Sequence, residues 1–165
     1  MKVLVIAPHP DDEILGVGGT IAKRAAVGDE VTVCICTKGV HPMFDQKIIK
    51  AGRDEARKAH TYLGVSETIF LDLPAAELDS LPMTDIVGRL ENVVCETRPD
   101  EIFIPHHGDI HNDHKAISAA AMVALRPKRF KKPVRILSYE VPSETGWDTP
   151  TPENAFSPNV YEDIT

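Results

Sequence analysis

Two short stretches hold most of the residues in this chain that could do chemistry: "PHPDDE" at 8–13 and "HNDH" at 111–114. The first places His9, Asp11, Asp12 and Glu13 directly after the apolar run "VLVIA" (3–7). A buried strand gains nothing by ending in crowded carboxylates, so the cluster is expected to bind something. His9 and Asp12, three apart on a tight turn, suit one divalent cation. A third ligand from "HNDH", either His111 or His114, would complete a set of two imidazoles and one carboxylate. Such a set leaves a coordination position for water, whose pKa then falls towards ~7. It suits Zn2+ and also Fe2+.

Asp11 adjoins Asp12 but should project differently, which fits a general base. His111 offers a group for the acid side, with Asp113 to orient and charge its ring. Protonated, His111 would steady an oxyanion or assist a leaving amine. The plainer reading is helix capping, by Asp11 or Asp12 in one loop and Asn112 or Asp113 in the other. Capping accounts for one acid per loop but leaves His9, His111 and His114 unexplained.

The elements that must bring these loops together are legible as alternating patterns. Apolar runs predict strands over Val3–Ala7, Glu30–Cys36, Thr68–Leu71, Glu101–Ile104 and Val134–Glu140. Helical spacing predicts Glu13–Ala26, Gln46–Leu63, Met83–Thr97 and His114–Leu125, with Gly28, Gly64 and Pro99 as stop signals. Val/Ile-rich strands separated by helices imply an α/β fold, Rossmann-like and doubly wound, with a mostly parallel sheet covered on both faces. Ligands of such sheets sit beyond the carboxyl ends of the strands, the edge from which both motifs leave. Residues 1–140 are expected to form this domain. Proline-rich 141–165 is expected to lie on it as an extended segment, not as a second domain.

Bulk properties exclude several roles. The 165 residues carry a net charge of -7, unfavourable for a primary role on nucleic acid or anionic membrane. No apolar run approaches the ~20 residues that span a bilayer, and the amino terminus turns acidic too soon for a secretory signal. Cys34, Cys36 and Cys95 are expected to be free thiols in a reducing cytoplasm. "GVGGT" (16–20) is not a dinucleotide fingerprint, because Ile21 stands at the third glycine position. Its glycines are expected to permit close approach of the first helix. The basic run "RPKRFKK" (126–132) reads as a solvated loop, and His41 and His60 as ordinary surface residues. His106 and His107 are expected to line or support the pocket. Trp147 reads equally as a sugar-stacking surface or a loop anchor.

"PHPDDE" paired with "HNDH" resembles the PIG-L/LmbE family of metal-dependent deacetylases that act on N-acetylglucosamine units. The likeness extends through "GRDEARKAHTYLGV" (52–65) and "FSPNVYEDIT" (156–165). It implies His9, Asp12 and His114 as zinc ligands, selecting His114 over His111. It implies Asp11 as general base, His111 as the transition-state histidine and Asp113 as its charge partner. Arg53 would contact substrate, an N-acetylated amino sugar, and the protein would assemble as a trimer or hexamer. Members usually continue with further helix, so the likeness implies a short carboxyl-terminal end. The rival expectations are a metal phosphoesterase and a sugar-binding protein without turnover.

Overall fold

The computed structural model of the protein describes residues 1–130 and 132–165. Nine main elements alternate: β1 (Lys2–Ala7), α1 (Asp12–Ala26), β2 (Glu30–Lys38), α2 (Gln46–Leu63), β3 (Glu67–Pro74), α3 (Met83–Thr97), β4 (Glu101–Pro105), α4 (Asn112–Ala124) and β5 (Arg135–Tyr139). All ladders are parallel, in the order β3-β2-β1-β4-β5.

Side chains alternate across β1 and so feed two cores. Leu4 and Ile6 join Ile86, Leu90 and Ile117 from α3 and α4. Val3 and Val5 join Val17, Ile21 and Ala56 from α1 and α2. Burial on both faces is why the strands read as unbroken apolar runs.

β1 pairs with β2 on one side and β4 on the other, so the winding reverses between β1 and β4. The crevice at that reversal, outside the carboxyl ends, is the place for a ligand in a doubly wound sheet. Residues 8–11 leave β1 there, and residues 106–111 leave β4 beside them.

Most elements differ from expectation by one to three residues at an end, two of them for evident physical reasons. β3 runs on to Pro74 because pairing with β2 continues to Lys38 after a register shift, although the apolar run ends sooner. α4 begins at Asn112 because the His111 imidazole caps it, Nδ1 accepting from the Asp113 amide. Neither Asn112 nor Asp113 caps this helix, and the Asp11 side chain makes no cap bond to α1.

Gly16 and Gly19 of α1 do permit close approach, whereas Gly18 meets only Ile14 of its own helix. A Cβ at Gly16 would stand 2.4 Å from Tyr139 Cδ2 and 2.6 Å from the Glu140 carbonyl oxygen. Residues 140–165 carry no helix or strand and touch the body at several points. Lys23 and Arg24 hold Glu162, and Lys115 holds Asp148. Lys131, in the basic run, lies outside the described residues. Among those described, no helix is long and apolar enough to cross a membrane.

Candidate metal centre

His9 arrives on the turn after β1, Asp12 opens α1, and His114 lies in the first turn of α4. Their ligand atoms converge. Asp12 Oδ2 lies 3.3 Å from His9 Nδ1 and 3.1 Å from His114 Nε2. The two nitrogens are 3.3 Å apart. Tetrahedral zinc, with bonds of about 2.0–2.1 Å, spaces its ligand atoms about 3.3–3.4 Å from one another. The donor set and its triangle therefore fit such an ion, with a fourth position left open.

The remaining ring nitrogens are held from behind. His9 Nε2 bonds Asp113 Oδ2 at 3.0 Å, and His114 Nδ1 bonds Asp109 Oδ2 at 2.8 Å. Carboxylates behind ligating imidazoles fix tautomer and ring orientation. Asp109 and His114 are both 0% exposed. Asp109 escaped sequence reasoning. Its signal was a carboxylate upstream of the helix in "HGDIHNDH", which only that habit of metal sites would have flagged.

Asp113 does not sit where sequence reasoning placed it. Its carboxylate accepts from His9 and from the amides of Ala76 and Leu78. Only its backbone N–H reaches His111. The carboxylate–histidine pair expected at His111 thus forms at His9, because the first turn of α4 directs residue 113 inward while His111 caps from outside. His111 stays close, its ring centroid 4.6 Å from that of His9. With His9, it and Asp113 form a second group of converging ligand atoms.

Charge follows from these contacts. Burial works against protonation of His9, but the Asp113 and Asp12 carboxylates outweigh it and raise the ring to about 9. His114 is likewise raised to about 9, by Asp109 and Asp12 against burial. Burial disfavours the Asp12 anion, yet hydrogen bonds from His114 and His9 hold its carboxyl well below the usual range. Asp11 moves the other way. Burial, with the Asp12 and Glu13 charges, pushes it up to about 6. His111 is lowered by burial and by the neighbouring His9 charge. With Nδ1 accepting from an amide, its neutral ring carries the proton on Nε2.

Arg53 is engaged elsewhere, paired with Asp72 and lying 4.3 Å from the centroid of the Phe70 ring. His106 and His107 donate to the carbonyls of Asn154 and Glu153, fastening the carboxyl-terminal segment. Trp147 donates to the Pro142 carbonyl, and the residue remains 67% exposed. His60 corrects the expectation of a surface residue. It is 2% exposed and bonds Glu13 and Thr68.

The family model described as PIG-L, GlcNAc-PI de-N-acetylase, matches residues 4–125, spanning both motifs. The chain belongs to the PIG-L family. Among its PIG-L relatives is the uncharacterized deacetylase YaiS of Escherichia coli, 28% identical over 98% of this chain and 81% of that protein. A probable N-acetyl-alpha-D-glucosaminyl L-malate deacetylase of Bacillus cereus is 30% identical over 80% of this chain and 64% of that protein. The structure of N,N'-diacetylchitobiose deacetylase from Pyrococcus horikoshii superposes with a TM-score of 0.66 at 29% identity, covering 74% of this chain and 48% of that one. The chain thus spans about half to four fifths of these PIG-L proteins.

Proposed function

We propose that the protein hydrolyses the acetamide of an N-acetylated amino sugar, releasing acetate and a free amine, with one divalent cation, zinc, held by His9, Asp12 and His114. The observation that carries this reading is the triangle of ligand atoms, 3.1–3.3 Å on each edge, with Asp11 next in the chain. Relatives named as deacetylases of N-acetylglucosaminyl compounds support the substrate class.

When bound, the cation would polarise the acyl carbonyl and acidify water. The chain's own residues supply the remaining chemistry. Asp11, raised to about 6, is ionised at neutral pH yet basic enough to take a proton from water as its oxygen attacks the acyl carbon. The Nε2–H of His111 donates to the developing oxyanion. A neutral ring suffices for this. As the C–N bond breaks, the proton on Asp11 passes to the departing nitrogen. Asp113 is a positioning residue in this scheme, orienting His9 through its carboxylate and His111 through its amide. Arg53 would hold an anionic group on the sugar's partner moiety only by exchanging Asp72 for it.

The test is acetate release from a panel of N-acetylglucosamine conjugates, before and after chelation and zinc replacement. Asp11→Asn should keep its metal and lose about 10²–10⁴-fold in kcat. Undiminished turnover would remove Asp11 as the base. One ion per chain is expected. Two would favour the phosphoesterase reading, for which His9, His111 and Asp113 are the second ligand group. Sugar binding at full occupancy without acetate release would leave a binding protein. The free thiols, two buried and one exposed, fit a reducing cytoplasm. Light scattering would count the trimer or hexamer that the resemblance implies.

A further inference from the structure

Behind Asp11 lies a buried polar chain that the proposed reaction does not use. Glu13 is 0% exposed. Its Oε2 accepts from the Asp11 backbone N–H at 3.2 Å, a donor shared with the His9 carbonyl at 3.1 Å. Glu13 Oε1 lies 2.8 Å from His60 Nε2 in the last turn of α2. His60 Nδ1 lies 2.8 Å from Thr68 Oγ1 on β3. Three elements therefore converge on one amide.

We propose that Glu13 and His60 are positioning residues that hold the Asp11 backbone, and hence its carboxylate, at the angle the reaction needs. This rests on the reading of Asp11 as the general base.

Two features support it. Asp11 takes φ 156 and ψ -25, a sparsely populated conformation for a residue with a side chain. Such a backbone persists only where surrounding contacts over-determine it, and the amide that must be restrained is the one Glu13 grips. Burying a carboxylate and an imidazole is also costly unless each is fully partnered. Favourable charge at the amino end of α1 does not require this burial, since Asp12 already stands in that first turn. A hydrocarbon pair would fill the volume but leave the Asp11 N–H bonded only to the His9 carbonyl.

The test compares metal-loaded wild type with His60→Leu, His60→Gln and Asp11→Asn/His60→Leu. His60→Leu should lower kcat about tenfold to a hundredfold, the scale of a misplaced catalytic group, with KM and metal content within twofold. His60→Gln, whose amide can replace the donor to Glu13, should recover most of the loss. In the Asp11→Asn background, His60→Leu should cost nothing further. Independently of any reaction, the Asp11 amide should exchange its hydrogen at least tenfold faster in His60→Leu than in wild type. Unchanged exchange at Asp11, or an equal kcat loss with and without the Asp11 carboxylate, overturns the positioning role. Wild type that releases no acetate from any conjugate overturns the deacetylase reading instead, while the exchange rates still decide the positioning one. Should His60→Leu not fold, Thr68→Val carries the same readouts, with a smaller effect in the same direction.

Discussion

In the candidate centre each ligating imidazole has one nitrogen committed to a buried carboxylate and the other turned to the shared triangle. This arrangement makes His9 and His114 strong proton binders, raised to about 9, so a cation must displace protons to bind. Titrating metal-free protein with zinc at pH 7, in two buffers of different ionisation heat, should show release approaching two protons per ion. Affinity should fall as the pH is lowered. An ion that binds with no proton release would be sitting elsewhere. The same shifts predict how the metal-free protein responds to pH. A histidine whose folded value exceeds its ordinary 6.5 adds stability below that value. The contribution is lost as pH rises through about 9. Melting temperatures of metal-free protein should therefore drop across that window, and zinc should flatten the drop.

At the scale of elements, α1 carries both the candidate chemistry and a tight packing constraint. Its amino end presents Asp12 and Glu13, and one turn later it must pass under the end of β5. A Cβ at Gly16 would meet backbone as well as the Tyr139 ring, and backbone cannot swing aside. Gly16→Ala should cost about 1–3 kcal/mol. By thermal melting that is a fall of about 2–4 °C for each kcal/mol. Gly52, in the middle of α2, is the internal control. Nothing lies within 4 Å of a Cβ there, so Gly52→Ala should stabilise by up to about 1 kcal/mol. A Gly16→Ala protein that melts with the wild type would mean that α1 and β5 are farther apart than described.

The whole molecule ties its carboxyl-terminal segment to the candidate metal centre. Thr145 Oγ1 donates to Asp109 Oδ1 at 2.5 Å, and the other oxygen of that carboxylate holds His114. Ile110, between them in sequence, bonds the Glu144 carbonyl. An irregular stretch without helix or strand thus braces the residue behind a candidate ligand. Thr145→Val, nearly the same volume, should weaken zinc affinity by about tenfold without unfolding the protein, as loss of an outer partner does. Competition with a chromogenic chelator would read it. Equal affinities would reduce this contact to loop packing.

Periodicity alone placed every main strand and helix, because a sheet buried on both faces and helices buried on one leave period-specific marks on the chain. It also indicated that "PHPDDE" and "HNDH" share one edge, since a parallel doubly wound sheet puts every strand's carboxyl end on the same side. Resemblance to a family, not spacing, favoured His114 over His111 as the candidate ligand. Folding decided the rest. Asp113 turned to His9, His111 became a helix cap, Asp109 closed on His114, and His60 went inside to Glu13. The His9 and Glu13 contacts depend on where a side chain points across a gap between distant elements, and the other two on how the 109–114 loop turns into α4. Local pattern records the period of an element and the sign of its charges, but carries no information about such angles.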